Sequence, residues 1–300
     1  MKEYHTKYGQ IKGISNIDFY NKGAIKECKL NEFSELTTTY GNFVPQYDDT
    51  EVRRKYKKSL SFYESGNIQS ISFQQQTFID TSIGKIPAEL ALFYKNGSIK
   101  RIFPLNGKLT AYWTEEDEYR LAQEIDLNFE FGSYKKKIIS ISFYESGAVK
   151  SVTLWPKDFI NIPSPYGFIE TRIGLSLYPN GAIKSCEPRR QTLIKTSIGE
   201  LHAYNLEAIG ISGDENSLNF NEEGCINALR TSTDKITMTN STGDTITWEP
   251  TLKANNFNNT IIDVLPLTVE FYSDKIRING NQHNLKDNSF YVEKFVRKII

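Results

Sequence analysis

Sulfur and imidazole are scarce in this chain: 300 residues hold 3 cysteines, 2 methionines and 3 histidines. Cys28, Cys186 and Cys225 are too few, and odd in number, for a disulfide framework, and no Cys-x-x-Cys stands with paired histidines to hold zinc. His5, His202 and His283 give a histidine-based acid–base mechanism little to work with. Charge of one sign is not in excess either. The 36 basic residues balance 36 acidic ones, so no bulk field draws the chain to nucleic acid or to an anionic membrane. No apolar run approaches the roughly 18 residues that a membrane helix needs, and Met1-Lys2-Glu3-Tyr4-His5 does not read as a signal peptide. The expectation is no membrane span and a reduced, cytoplasmic setting. No phosphate-cradling glycine loop, Gly-x-Ser-x-Gly elbow or His-Glu-x-x-His pair appears, so no catalytic residue, cofactor or metal ligand is assigned.

What the chain does have is a core and a repeat. Hydrophobic residues make up 39% and aromatics 13%, which is globular rather than disordered composition. Sliding the sequence by 158 residues lays 8–70 on 166–228 without a gap, with 17 identities in 63 positions. Gly23-Ala24-Ile25-Lys26 falls on Gly181-Ala182-Ile183-Lys184, Cys28 on Cys186, and Gly66 on Gly224. Self-similarity at a fixed offset means copies of one structural unit. It assigns 1–157 to a first half and 158–300 to a second, in one continuous β array.

Six segments share a finer pattern: 17–28, 60–71, 91–102, 141–152, 175–186 and 218–229. Each carries a glycine (Gly23, Gly66, Gly97, Gly147, Gly181, Gly224). Four residues before it stands Phe19, Phe62, Phe93, Phe143, Leu177 or Phe220. Two residues after it stands Ile25, Ile68, Ile99, Val149, Ile183 or Ile226. A three-residue hairpin loop with a left-handed glycine explains the spacing, and makes each apolar pair directly opposed neighbours on one face. A second glycine set alternates with the first: Gly9, Gly41, Gly84, Gly107 or Gly132, Gly167, Gly199 and Gly243. Gly9, Gly84, Gly167 and Gly243 head four blocks, each about a quarter of the chain. Three Thr-(Ser/Arg)-Ile-Gly motifs fall at Thr81, Thr171 and Thr196, with Gly174 offset from the series. The stretch 115–129 has helical composition and little β-branching, so a short helix is expected to be inserted there. Residues 269–278 read as a seventh hairpin with Phe271 opposite Ile276, and 290–300 as a closing strand or a terminal helix.

Phe143-Tyr144-Glu145-Ser146-Gly147-Ala148-Val149-Lys150 and Leu177-Tyr178-Pro179-Asn180-Gly181-Ala182-Ile183-Lys184 resemble the Tyr-Tyr-x-Asn-Gly-x-Leu-Lys hairpins of bacterial MORN-variant repeats, which occur in proteins described as antitoxin-like. The resemblance covers the six hairpins and implies an open antiparallel meander used for binding. The fold expected is therefore all-β, an internally duplicated antiparallel meander of repeated hairpins. The alternative is a four-bladed β-propeller with one blade per block.

The face opposite the apolar pairs repeats as well. Tyr20, Tyr63, Tyr94, Tyr144 and Tyr178 each follow the pair's first residue, Asn221 breaks the row, and Lys26, Lys100, Lys150 and Lys184 continue it. Such a ladder can grip a partner by aromatic contact and charge; the plainer reading has tyrosines shielding the hairpin backbone under lysine stems. Basic residues cluster at Arg53, Arg54 and Lys57 and again at Lys135 and Lys137, each cluster just before a matching strand. They are candidates for an anion-binding patch on one exposed surface, against the plainer reading of solvated strand approaches. Trp113, Trp155 and Trp248 fit core better than sugar platforms. Glu115, Glu116, Asp117 and Glu118 fit a solvated helix N-terminus better than a cation site. The function expected is a non-enzymatic scaffold binding a protein partner through Arg53, Arg54, Lys57, Lys135, Lys137, Tyr63, Tyr144 and Tyr178. The alternative is a small-ligand binder or enzyme with a pocket between the halves.

Overall fold

The computed structural model describes residues 3–48, 53–55, 58–208, 216–255 and 262–296. They form antiparallel strands and one helix, Glu115–Leu121, and no helix among them is long and apolar enough to cross a membrane. The chain forms two compact units, 1–155 with 179–181, and 156–178 with 182–300.

Each unit is an open antiparallel meander. In the first, the sheet passes from Ile14–Phe19 and Ile25–Leu30 through Leu60–Phe62, Ile68–Thr81, Gly84–Phe93 and Ile99–Phe103 to Ile138–Phe143 and Val149–Leu154. In the second it passes from Gly167–Leu177 and Ile183–Pro188 through Leu218–Phe220 and Ile226–Thr231 to Leu267–Phe271, Lys275–Ile278 and Asn281–Asn284. Successive hairpins bond edge to edge, Cys28 opposite Leu60 and Ile102 opposite Ile141. That continuity excludes the propeller, whose blades would end as separate sheets.

The turn code is realised in all six copies. Phe19 opposes Ile25, Phe62 Ile68, Phe93 Ile99, Phe143 Val149, Leu177 Ile183 and Phe220 Ile226. The six glycines have φ between 78° and 90°. Each hairpin then carries a bulge directly after the apolar pair, because Lys26, Gln69, Lys100, Lys150, Lys184 and Asn227 have no partner in the register. The seventh hairpin is present too, with Phe271 opposite Ile276 and Val269 opposite Ile278.

At Gly9, Gly41 and Gly199 the second glycine set closes a different hairpin, which lies on the sheet instead of in it, whereas the hairpins at Gly84 and Gly167 are made by strands of the sheet itself. Tyr4–Thr6 with Gly9–Ile11, Leu36–Thr38 with Gly41–Phe43, and Thr192–Thr196 with Gly199–Ala203 turn through two residues. The threonine donates its Oγ1 hydrogen to the glycine carbonyl at 2.7–2.8 Å and accepts the N–H two residues on, so the turn carries its own hydrogen bonds. Ile11, Leu36, Phe43, Ile194 and Leu201 of these covering hairpins are buried, and Phe43 meets Phe73 of the sheet edge-on at 4.9 Å. Each such burial is worth roughly 1.5–3 kcal/mol. The tips dock in a regular way on later sheet hairpins. The Tyr8 hydroxyl donates to Asn67 Oδ1 at 3.2 Å, Ile99 N–H donates to the Tyr40 hydroxyl at 3.1 Å, and Ser82 Oγ donates to the Gly147 carbonyl at 2.8 Å.

One local expectation is corrected and the points left open are decided. Gly243 belongs to the first kind of turn, since Gly243 N–H donates to the Asn240 carbonyl, so it heads no fourth block. Gly174 closes no turn: Thr171 to Gly174 runs inside Gly167–Leu177, where Ile173 takes a φ of 59° at a register shift. Gly132, with φ 150°, makes the covering turn after the helix; Gly107 instead packs so tightly that a Cβ there would stand 2.3 Å from the Glu118 carboxyl. The helix ends at Leu121, and Ile125–Phe129 is a strand. Of the segment 290–300, the described part continues the strand Asn288–Lys294.

Candidate functional site

The tyrosine row is built by the bulges. With one extra residue in each returning strand, the backbone of the next hairpin's apolar residue turns away from its neighbour, and a tyrosine hydroxyl fills the gap. Tyr20 Oη donates to the Phe62 carbonyl at 2.9 Å, Tyr63 Oη to Phe93 at 2.8 Å, Tyr94 Oη to Phe143 at 2.9 Å and Tyr178 Oη to Phe220 at 2.8 Å. Each tyrosine thus ties its own hairpin to the next one. Burial raises the pKa of Tyr63, helped by Tyr20, Tyr94 and Glu145, and burial raises that of Tyr178, helped by Glu222 and Glu223. The Tyr63 and Tyr178 hydroxyls therefore stay protonated and remain donors. Lysine ammonium groups lie over the rings as the sequence suggests: Lys100 is 5.6 Å from the Tyr94 ring centre, and Lys184 is 5.6 Å from that of Tyr178. On the same face small serines pair across the strands and are buried, Ser61 with Ser70 at 2.5 Å and Ser176 with Ser185 at 2.6 Å between hydroxyl oxygens. Tyr144 stands in the row and is half-buried.

The row is broken at Asn221. Its side chain turns back on its own loop, Oδ1 accepting from Cys225 N–H at 2.8 Å. A groove of about 480 Å³ opens there, bounded by Tyr178 and Lys184 on one side and Tyr272 on the other. Asn219, Ala228 and Glu270, in register across the strands, lie along it. Arg230 also lines it, and Glu270 Oε2 accepts from Arg277 at 3.0 Å and from the Tyr272 hydroxyl at 2.7 Å.

The two basic clusters do not form an exposed patch. Arg53 and Arg54 are 13% and 5% exposed at their side chains. Arg53 pairs with Glu89 and, at 2.7 Å, with Glu118, while Arg54 donates to the Phe73 and Gln74 carbonyls. Lys137 donates to the Tyr119 carbonyl at 2.9 Å and lies over that ring at 4.3 Å. Lys135 is exposed, opposite Asp126 in its hairpin, and Lys57 lies outside the described residues. Arg53 and Lys137, one residue from each cluster, thus converge on the helix Glu115–Leu121 and hold it down. Glu118 is not solvated as expected. It is buried, accepting from Arg53, Gly107 N–H and Trp113 Nε1, while Thr114 and Asp117 form a reciprocal cap. Glu89 and Glu118 were missed as partners because they sit far along the chain from Arg53. The one local signal was the glutamate inside an apolar strand, Ile86 to Phe93.

The other singled-out groups are structural. Burial pushes the thiols of Cys28 and Cys186, which occupy matching positions, up to about 12, so both stay unreactive. Trp155 is buried, and Trp248 packs on His283 at 4.9 Å between ring centres. His202 Nδ1 lies 2.8 Å from Asp234 Oδ1, and the buried Asp234 also accepts His202 N–H and the Thr231 hydroxyl. With its second oxygen spent on backbone and threonine, Asp234 fastens the strand Gly199–Ala203. Comparison with protein-family models, curated proteins and solved structures found no match.

Proposed function

We propose that the protein is a binding scaffold for a protein partner, engaged through the tyrosine face of the unit that holds 182–300. The observation that carries this reading is the groove at the break in the row: a preformed concavity with aromatic walls, an arginine and hydrogen-bonding side chains on a stitched, rigid sheet. Aromatics and arginine are the side chains that concentrate binding energy at protein interfaces, and a rigid platform loses little entropy on binding. The resemblance of the hairpins to MORN-variant repeats supports the same reading. The buried Arg53 and Arg54 take no part in it. Plugging the groove tests it. Retention of a partner from native extract on immobilised protein is expected to be lost in Ala228→Trp, with the unfolding midpoint kept. A partner retained equally by both forms, or no retained protein at all, overturns the reading.

A further inference from the structure

The broken row has a chemically specific shape. In four hairpins a tyrosine hydroxyl crosses to the carbonyl of the next hairpin's first apolar residue, at Phe62, Phe93, Phe143 and Phe220. Phe271 is the next residue in that series: it follows Glu270, which pairs with Ala228, as Phe62 follows Ser61, which pairs with Glu27. The hairpin that should supply its tyrosine has Asn221 there, and the asparagine is occupied with Cys225 N–H. The ladder therefore sends no hydroxyl to the Phe271 carbonyl, and the space that the missing ring would fill is the groove, which Phe271, Ala228 and Glu270 line. The turn at Asn221 is otherwise unchanged, with Asn221 N–H donating to the Cys225 carbonyl at 2.8 Å as the tyrosines do at their own loops.

We infer that this gap receives a tyrosine side chain of the protein partner, its phenol ring standing between Tyr178 and Tyr272 and its hydroxyl donating to the Phe271 carbonyl. The inference rests on the scaffold reading above and adds the chemistry of the group recognised. The partner's ring completes in trans the row that Asn221 interrupts in cis. The Lys184 ammonium, already over the Tyr178 ring, and Arg230 border the same space. A site built to bond a hydroxyl discriminates against the analogue that lacks it.

The experiment titrates the intact protein with N-acetyl-tyrosinamide and N-acetyl-phenylalaninamide, followed by backbone amide shifts. Tyrosinamide is expected to perturb residues around 228 and 270 and to bind about tenfold more tightly than the phenylalanine analogue. Asn221→Tyr, which restores the row, is expected to abolish that binding and to raise the unfolding midpoint; the midpoint also shows that the variant folds. Equal binding of the two amides, no binding at these residues, or undiminished binding by Asn221→Tyr overturns the inference. The scaffold reading stands or falls separately, on whether Ala228→Trp loses its retained protein.

Discussion

At the scale of the residue, one atom's absence organises each sheet hairpin. Gly147 has a φ of 86°, and a Cβ built there meets nothing within 4 Å, so steric space is free and only backbone conformation demands glycine. A β-branched side chain is strained in that region. Gly147→Val is expected to cost roughly 1–2 kcal/mol, against little for the neighbouring Ser146→Ala, as read from unfolding midpoints. Equal losses at the two positions would place the strain elsewhere. The same scale explains the bulge residues. Once glycine sets the loop, the returning strand carries one residue too many, and the neighbouring backbone needs a donor that no main-chain group supplies. The tyrosine hydroxyl is that donor, so glycine and tyrosine are two parts of one local solution.

At the scale of the element, two kinds of hairpin divide the work. Sheet hairpins carry the apolar pairs, and covering hairpins lay buried isoleucine, leucine and phenylalanine against them. The exception is the helix Glu115–Leu121, which is held by charge: Arg53 reaches Glu118, Lys137 reaches the Tyr119 carbonyl, and Glu89 and Glu118 share the Arg53 guanidinium. Breaking a buried pair leaves an uncompensated charge in low dielectric. Arg53→Met is therefore expected to cost about 3 kcal/mol or more, measured by urea unfolding, and to raise hydrogen exchange in 104–121. The double replacement Arg53→Met with Glu118→Gln should recover part of that loss. A single variant as stable as the wild type would mean that the network contributes nothing. This behaviour separates a structural arginine from one in a binding patch, whose replacement would leave folding intact.

At the scale of the whole molecule, one buried acid, Glu187, gives stability a pH dependence that composition does not show. Glu187 is 2% exposed and accepts from Ser217 N–H and Oγ at 2.8 and 2.7 Å. Burial nevertheless raises its pKa, against those hydrogen bonds and Arg172. The folded chain therefore keeps this proton to higher pH than the unfolded chain does. Between the ordinary glutamate value and the raised one the folded state binds more protons, so stability falls as pH rises through that window and recovers on acidification. Glu187→Gln is expected to flatten the curve of unfolding free energy against pH in that weakly acidic window. An unchanged slope would show that Glu187 titrates alike in both states.

The sequence by itself determined what is settled within a few residues: the positions of the six left-handed glycines, the cross-strand apolar partner of each and the seventh hairpin at Phe271. Turn geometry and side-chain alternation act over that range, and the spacing records them directly. It misled where the same residue type serves two ends. Gly243 resembles a covering-hairpin glycine but closes the other turn, and Gly174 repeats a turn motif inside a bulged strand. Only the tertiary structure decided which hairpin lies beside which, and with it where Tyr63 and Tyr178 send their hydroxyls. It alone brought Glu89 and Glu118 to Arg53 and made a solvated-looking basic run into the clamp of a helix. It also turned a single departure from the pattern, Asn221, into a groove. A charge run reads the same whether water or a distant carboxylate will meet it, because its partner is chosen by the packing of elements far apart along the chain.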